Sequence, residues 1–511
     1  MKSFLRPATD QIPAIYCKES YSLYIIAEMR DFCKPSFQSR QPIASRGIAD
    51  NKKTWYNTVC ETTLCIAPME FLPGQEQIIL IGEDELYMMQ QWFKDAKLGI
   101  FMHWGLYSVR GITESWSFYN GEISYEDYMA QAQGFTASHY DPKRWADIFT
   151  RFGAKYSVLT AKHHDGFALW DTRYSDLNAV KMTPAGRDLI APYCQAMREA
   201  GIRVGLYFSH LDWSHPDNNA VIRPDTDLPY HPRTFPQGAP DPERWKNFLR
   251  FHRGQLTELM THYGTIDLMW FDGDWEKNAE QWDMKGLREY LHSLNPHVIL
   301  NSRMQGCGDY ETPEQGFPVG DPMGEVWEYS VTVNNSWGYV PADRDNTPVS
   351  RLVRMFAEVI SRGGNMLLDI GPLADGTFQP EQEQRLLEFG DWLRPVSEAV
   401  YGTEKGIGLR HYSAPSTMSK DHRTLYLYAF GKPGDLFVKG LKTPVKKAIL
   451  LKTGQTLPTE TMMGAPWNGV PPTVWIPVPD DAADPYATVI RLELDGEVEL
   501  FEGAGGAIAY N

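Results

Sequence analysis

Residues 155–209 read KYSVLTAKHHDGFALWDTRYSDLNAVKMTPAGRDLIAPYCQAMREAGIRVGLYFS, and this stretch decides the fold class. Its two ends, 155–161 and 203–209, are short apolar runs of the kind found in parallel strands buried on both faces. Between them, 188–200 has a helical pattern and is followed by Gly201, the residue expected just past a helix C-terminus. The stretch therefore predicts a strand–helix–strand unit.

The same pattern extends along the chain in both directions. Further apolar runs lie at 98–105, 266–272, 297–302, 325–329 and 365–370. Helical patterns at 244–263 and 349–360 are also followed by glycine. Seven or eight such units predict an α/β fold, a (β/α)8 TIM-like barrel. An open doubly wound sheet is the alternative, although no glycine-rich phosphate loop follows the first strand.

The helical patterns end after about Gly406. Apolar runs then alternate with Gly, Pro and Asp turns, at 424–430, 447–452, 474–478 and 487–494. This pattern predicts a smaller all-β sandwich domain. We therefore expect a catalytic barrel over 85–404 and a β-sandwich over 405–511.

Residues 1–80 are expected to be an N-terminal extension of unknown role. Two interpretations are open: an ordered extension, or sequence read through from a wrongly assigned start, with Met69, Met88 or Met89 as the true start. The N-terminus has no secretory signal pattern, which favours a cytoplasmic protein. A wrongly assigned start leaves a periplasmic, secreted or lysosomal location open.

Composition narrows the function classes. The 511 residues carry a net charge of −16, which disfavours general binding to nucleic acid or to an anionic membrane, since both are polyanions. No apolar run is long enough to predict a transmembrane helix. None of the six cysteines forms a CxxC pair. The sixteen tryptophans are ordinary core residues or platforms on which sugar rings stack.

In a barrel of this kind, chemistry takes place where strands end at their C-terminal edge. Histidines, carboxylates and aromatic residues are concentrated at these predicted ends. They include His103, 162–165, Tyr207, His210, Trp270, Asp272, Asp274, Arg303 and 309–314. If the strand predictions hold, these side chains converge on one pocket.

The pair His163-His164 has three interpretations. Together with His103 and Asp272 the pair could bind a metal ion, although adjacent residues on a strand point to opposite faces. The two histidines could instead be buried and hydrogen-bonded, or could bind sugar hydroxyls.

Asp272 and an acidic residue about 40 positions later also fit a pair of catalytic carboxyl groups. Retaining glycosidases use one carboxylate as nucleophile and one carboxylic acid as proton donor, about 5–5.5 Å apart. The alternative is that Asp272 and Asp274 are turn or cap residues.

Several motifs resemble the α-L-fucosidases of glycoside hydrolase family 29. They are Gly99-Ile-Phe-Met-His-Trp-Gly105, Ala161-Lys-His-His-Asp-Gly-Phe167, Gly205-Leu-Tyr-Phe-Ser209, Trp270-Phe-Asp272, and Gly363-Gly-Asn365 with Gly371-Pro372. The resemblance covers about residues 90–405.

This resemblance implies a retaining exo-hydrolase that removes terminal α-L-fucose from an oligosaccharide or glycoconjugate, with no metal or cofactor. Asp272 matches the nucleophile of the family. The fucose contacts are matched by His103, Trp116, His163, His164, Tyr207 and Trp270. Glu114 could contact a hydroxyl, but its Glu-Ser-Trp pattern departs from the family's Glu-Trp pair.

The acid/base residue implied by the resemblance is Glu314, 42 residues after Asp272. Glu311 is the fallback and Asp309 the third candidate, because both lie in the same predicted loop. A catalytically inactive fucose-binding protein and a metal-dependent barrel hydrolase are the alternative functions. No nucleic-acid or membrane partner is expected, and the sequence leaves the oligomeric state open.

Overall fold

A computed structural model describes residues 91–220, 241–320 and 324–503. The expectation for residues 1–80 lies outside this part of the chain. Within these ranges no helix has the length and apolar character needed to span a lipid bilayer.

The main sheet contains seven described strands that run parallel to one another. They are β1 (Leu98–Met102), β2 (Tyr156–Lys162), β3 (Arg203–Ser209), β4 (Leu268–Asp272), β5 (Ile299–Leu300), β6 (Glu328–Thr332) and β7 (Asn365–Ile370). Their spatial order is β5-β4-β3-β2-β1-β7-β6. Strands consecutive in sequence therefore lie side by side except β5 and β6, and β1 pairs with β7 to join the two ends of the series. This order is that of a barrel and excludes the doubly wound alternative.

Residues 309–315, here called the seam segment, close the barrel between β5 and β6. Tyr310 bridges to Asn301 beyond β5, while Glu314 bridges to Ser330 on β6. The Asp309 amide donates to the Leu300 carbonyl at 2.7 Å, and the Ser330 amide donates to the Pro313 carbonyl at 3.0 Å. A segment expected to be a loop therefore takes the place of a strand.

Six longer helices cover the barrel. They are α1 (Pro142–Phe152), α2 (Ile190–Glu199), α3 (Pro242–His262), α4 (Met284–Leu294), α5 (Val349–Ser361) and α6 (Pro380–Leu393). Asp141 begins α1 by accepting hydrogen bonds from two backbone amides, with proline at the first helical position. Gly201, Gly264 and Gly363 have positive φ angles, which confirms the glycine ends predicted for α2, α3 and α5.

Helices of one or two turns make up the rest of the described α-helical structure. They are Trp116–Tyr119, Tyr125–Ala130, Ala179–Met182, Ala279–Trp282 and Gly408–His411. The last of these corrects the expectation that helices end after about Gly406.

The C-terminal part contains two antiparallel sheets, as the predicted sandwich requires. The strands are β8 (Glu404–Lys405), β9 (Ser416–Met418), β10 (Thr424–Ala429), β11 (Asp435–Val438), β12 (Val445–Leu450), β13 (Gln455–Leu457), β14 (Glu460–Met462), β15 (Thr473–Pro477) and β16 (Thr488–Leu494). One sheet has the order β13-β12-β16-β10-β9-β8 and the other β11-β15-β14. Leu427, Ile476 and Ile490 belong to one buried apolar cluster that joins the sheets.

Of the barrel strands, β6 and β5 depart most from their predicted positions. β6 begins at Glu328, three residues later than predicted, because its buried residues include Glu328 and Ser330. A polar residue inside a barrel removes the apolar pattern by which a strand is recognised. β5 is only two residues long and lies inside the predicted 297–302.

Candidate active site

A cavity of about 350 Å³ opens where the barrel strands end. Aromatic rings and charged groups form its wall. The lining residues are Phe101, His103, Glu114, Trp116, His163, Tyr207, Trp270, Asp272, Trp275, Arg303, Glu314 and Trp337. The predicted convergence is therefore correct only in part. It holds for His103, His163, Tyr207, Trp270, Asp272, Arg303 and Glu314, whereas Lys162, His164, Asp165, His210, Asp274 and 309–313 lie outside the lining.

Asp272, the last residue of β4, is held by contacts on both carboxylate oxygens. Tyr207 donates its hydroxyl to Oδ2 at 3.0 Å, and His164 Nε2 lies 3.6 Å from the same oxygen. Arg303 Nε lies 3.4 Å from Oδ1. A carboxylate fixed in this way points into the cavity in one orientation.

Arg303 also contacts the second carboxyl group of the cavity. Its Nη2 donates to Glu314 Oε2 at 2.8 Å. A single guanidinium group therefore contacts both Asp272 and Glu314, so the two carboxyl groups lie near each other in the cavity. Sequence analysis marked Arg303 only as a strand-end residue and assigned it no role.

The pKa of Glu314 is raised above the ordinary glutamate value. Burial is the largest cause, the negative charge of Asp272 adds to it, and Arg303 opposes it. Asp272 therefore favours the protonated form of Glu314. A protonated carboxyl group beside an ionised one is the arrangement that acid catalysis with a carboxylate nucleophile requires.

The two other acidic candidates of the seam segment do not line the cavity. Glu311 lies three residues before Glu314 in an extended segment, so its side chain leaves the opposite face and lies near Gly324. Asp309 is buried and accepts hydrogen bonds from Arg288 and from the Leu300 amide. Asp274 also lies outside the cavity wall.

The three histidines gather at one side of the cavity. His163 and His164 follow β2 after its last residue, and their ring centroids are 4.3 Å apart. The expectation that they point to opposite faces is wrong, because the strand ends at Lys162 and its alternation ends there too. Among the described residues, no group of three or more His, Cys, Asp or Glu side chains is arranged to hold a metal ion.

Hydrogen bonds to buried partners orient these rings. His103 Nδ1 lies 2.6 Å from Asp369 Oδ1, His164 Nδ1 lies 2.6 Å from Ser209 Oγ, and His163 Nδ1 bonds to Ser115 Oγ. Burial lowers the pKa of all three histidines, that of His164 to about 3. Neutral imidazoles can donate to and accept from sugar hydroxyls.

The remaining charged residues of the Lys162-His-His-Asp165 motif have structural contacts. Lys162 is buried, and its Nζ lies 3.5 Å from Asp212 Oδ2. Asp165 accepts a hydrogen bond from the Tyr128 hydroxyl at 2.6 Å. The motif thus joins His163, which lines the cavity, and His164, which contacts Asp272, to a buried polar network.

Three tryptophans that follow strands form the outer wall. Trp116 and Trp275 lie nearly parallel, with centroids 5.8 Å apart and planes at 19°. Trp337 packs against His103 at 5.0 Å. Sequence analysis missed Trp337, although the Trp-Gly pair a few residues after β6 resembles the His-Trp-Gly end of β1 and could have indicated it.

Glu114 connects two parts of this wall. Its Oε1 accepts a hydrogen bond from the Gly338 amide at 2.6 Å, next to Trp337. Burial raises its pKa. The adjacent Ser115, which separates Glu114 from Trp116, contacts His163 and accepts from the Asp165 amide at 3.0 Å.

Gly371, part of the Gly-Pro motif after β7, packs directly on the segment that carries Trp337. A Cβ at Gly371 would lie 2.3 Å from the carbonyl carbon of Gly338 and from the amide nitrogen of Tyr339. Both are backbone atoms, so they cannot move aside as a flexible side chain would. The motif glycine therefore sets how closely this segment approaches the cavity.

We expect Gly371→Ala to displace Trp337 and to lower kcat/KM by about tenfold, since overpacking costs about 1–3 kcal/mol. The thermal unfolding midpoint should fall by several degrees. Gly320→Ala is the matched control, because no heavy atom lies within 4 Å of that added Cβ. Steady-state kinetics and thermal unfolding measure both effects. Unchanged values for Gly371→Ala would show that the segment yields without cost.

Comparison with known proteins identifies a family to which this chain is similar. The family model described as alpha-L-fucosidase matches residues 82–398. Human plasma alpha-L-fucosidase is 33% identical over 343 residues, which cover 61% of this chain and 69% of that protein. The alpha-L-fucosidase of Branchiostoma floridae is 29% identical over 419 residues, covering 76% of this chain and 87% of that protein.

Solved structures show the same similarity in three dimensions. Alpha-L-fucosidase isoenzyme 1 from Paenibacillus thiaminolyticus superimposes with a TM-score of 0.72 at 33% identity, over 80% of this chain and 99% of that one. A family 29 alpha-L-fucosidase from Bacteroides thetaiotaomicron, crystallised as a trapped covalent intermediate with 2-fluoro-fucosyl fluoride, gives a TM-score of 0.69 at 28% identity. That match covers 80% of this chain and 96% of the other.

Proposed function

Because the chain belongs to the α-L-fucosidase family, glycoside hydrolase family 29, we propose that Asp272 and Glu314 are its two catalytic carboxyl groups. The protein is a retaining, exo-acting α-L-fucosidase that releases terminal α-L-fucose from fucosylated glycans through a covalent glycosyl-enzyme intermediate. The observation that carries the assignment of residues is the guanidinium of Arg303, which spans these two carboxyl groups in an aromatic cavity.

Asp272 acts as the nucleophile in this proposal. One of its carboxylate oxygens attacks C1 of the fucosyl unit, while the bond between C1 and the glycosidic oxygen breaks. Tyr207, His164 and Arg303 hold the carboxylate in place before the attack. A fixed nucleophile needs little reorganisation to reach the transition state.

Glu314 acts first as the acid and then as the base. In the first step it gives its proton to the glycosidic oxygen, so the aglycone leaves as an alcohol. In the second step its carboxylate takes a proton from the water that attacks C1, and the ester bond to Asp272 breaks. Esterification removes the Asp272 charge, which lowers the pKa of Glu314 when it must act as a base.

The other lining residues divide between hydroxyl binding and ring packing. His103 and His163 present neutral imidazoles to the cavity, and Glu114 presents a carboxyl group. Trp116, Trp270 and Trp337 supply flat apolar faces for the pyranose ring and its methyl group. The pocket encloses a single sugar unit, which fits release of a terminal residue.

Product stereochemistry and covalent labelling test this function together. With 4-nitrophenyl α-L-fucoside, the first product seen by proton NMR should be the α anomer of L-fucose. With 2-fluoro-fucosyl fluoride, the anomeric fluoride leaves, and mass spectrometry should place one 2-fluoro-fucosyl group on Asp272. The Asp272→Asn variant is the unlabelled control.

Other outcomes favour the alternative functions. A first product in the β form, or a label on another residue, would contradict the assignment of Asp272. Binding of fucose without turnover would indicate an inactive binding protein. Activity that disappears in a chelator and returns with a metal ion would indicate the metal-dependent alternative.

A further inference from the structure

Glu328, the first residue of β6, lies inside the barrel beneath the sugar cavity. Its side chain is completely buried and does not line the cavity wall. The carboxylate accepts a hydrogen bond from the Tyr156 hydroxyl at 2.5 Å and from Trp270 Nε1 at 2.9 Å. Three different strands, β2, β4 and β6, thus meet at one carboxyl group.

The contact with Trp270 connects this group to the reacting atoms. The Trp270 indole is one wall of the cavity and stacks on Tyr207, with centroids 5.7 Å apart and planes at 18°. Tyr207 in turn donates its hydroxyl to Asp272. An indole has one hydrogen-bond donor, and that of Trp270 is directed to Glu328 from below, while Phe101 and Tyr207 pack against the ring.

Burial of this carboxylate among apolar side chains costs free energy of folding. Phe93, Phe101, Tyr310 and Leu367 belong to the apolar cluster that surrounds it, and no described residue forms an ion pair with it. The titratable groups that face it are Tyr156 and Tyr310. Burial raises its pKa to about 7, although the hydrogen bonds from Tyr156 and Trp270 oppose the shift.

This position weakens the fold at alkaline pH. The folded pKa of Glu328 lies above the ordinary glutamate value, so the cost of the buried charge is fully present above pH 7 and declines as the pH falls toward that ordinary value. Glu328 thus lowers the stability of the folded protein above pH 7 and also holds Trp270, a wall of the sugar cavity. This combination indicates a functional contact.

We propose that Glu328 is a positioning residue that holds the Trp270 indole, and through it Tyr207 and Asp272, in the geometry needed for attack on the sugar. The proposal rests on the roles of Trp270 and Asp272 given above. Above pH 7, where this carboxyl group is ionised, its hydrogen bond with Nε1 is charge-assisted and about twice as strong as a neutral one, which holds the indole in one orientation.

Three variants of the full chain test the proposal. Glu328→Gln keeps the shape, offers a neutral acceptor to Trp270, and should lower kcat/KM by about tenfold. Glu328→Leu removes the acceptor and should lower it by about a hundredfold. Tyr156→Phe is the matched control, since it removes the other hydrogen bond of the carboxylate, and should stay within about threefold of the wild type.

Two readouts separate positioning from a structural role. At pH 8 the thermal unfolding midpoint of Glu328→Gln should be equal to or above that of the wild type, because the buried charge is gone. In Glu328→Gln, the rate constant for labelling by saturating 2-fluoro-fucosyl fluoride should fall, while the dissociation constant of the reagent should change little. The reason is that misplaced catalytic groups react slowly after the reagent has bound.

Each failure has a distinct signature. If the wild type is labelled at Asp272, and Glu328→Gln is labelled equally fast, the positioning role is wrong and the catalytic assignment stands. If the midpoint at pH 8 falls together with activity, Glu328 is structural. If the wild type is not labelled at Asp272, the catalytic assignment itself fails.

Discussion

Replacing Asp272 with alanine should lower kcat by at least about 10⁴-fold with every α-L-fucoside, because a covalent mechanism has no first step without its nucleophile. The fold should persist, since the Asp272 side chain lies at a strand end, and water in the cavity can solvate its partners Tyr207 and Arg303. Steady-state kinetics and the thermal unfolding midpoint measure the two effects.

Azide gives this prediction a second readout. In Asp272→Ala it can occupy the space left by the carboxylate and attack C1 from the same side. The product would be the β-fucosyl azide, with the configuration at C1 inverted. Recovery of turnover with this product assigns the nucleophile by position as well as by loss of rate.

Asp274→Asn is the matched control, because Asp274 lies two residues beyond the nucleophile and outside the cavity wall. Its activity should remain within about threefold of the wild type, as for a residue that touches no reacting atom. If Asp272→Ala instead keeps more than about a tenth of the wild-type rate, Asp272 is not the nucleophile.

Glu314→Ala should show a loss that depends on the leaving group. A leaving group that is a sugar hydroxyl must be protonated as it leaves. Hydrolysis of a fucosylated disaccharide should therefore fall by about 10²–10⁴-fold. From a 2,4-dinitrophenyl fucoside the stable 2,4-dinitrophenolate leaves with little help from an acid. The first step of its hydrolysis should therefore slow much less. Parallel kinetics on the two substrates measure the difference.

The pH profile supplies an independent test of the same residue. The acid must be protonated, so kcat/KM of the wild type should fall as the pH rises through the raised pKa of Glu314. This basic limb should vanish in Glu314→Ala. Glu311→Ala, three residues away on the opposite face of the seam segment, should retain both the limb and activity toward both substrates.

Two results would redirect the assignment. If Glu311→Ala gives the loss that depends on the leaving group, the two glutamates exchange roles. If neither variant gives it, the proton donor lies outside the seam segment.

Much of the barrel could be predicted because its strands carry local signals. β3 and β7 begin and end where the apolar runs predict, and the glycines after α2, α3 and α5 have the expected left-handed conformation. β6 could not be placed correctly because the polar Glu328 and Ser330 lie within it. Their burial depends on partners from other strands that no local pattern reveals.

From position alone, site residues could be predicted at or near strand ends. Asp272 ends β4 and His103 lies one residue beyond β1, so both could be found in this way, whereas Trp116, and Glu314 among the acidic residues of its segment, were indicated only by the family resemblance. Arg303 was marked by position, but its role depends on Glu314, eleven residues away in a segment without an apolar pattern. The partner of His103 is Asp369, 266 residues distant, a pairing that only the closed barrel creates.

The backbone around the two proposed catalytic groups is held by different numbers of hydrogen bonds, because Glu314 lies in the seam segment and Asp272 lies in β4. Asp272 belongs to a strand that pairs with β3 along its whole length and with β5 at its first two residues, whereas Glu314 belongs to a segment attached by scattered bridges. Local opening requires the least free energy where fewest backbone hydrogen bonds must break. The proton donor can therefore fluctuate, or be moved by altering the segment, while the nucleophile and the sugar cavity stay in place.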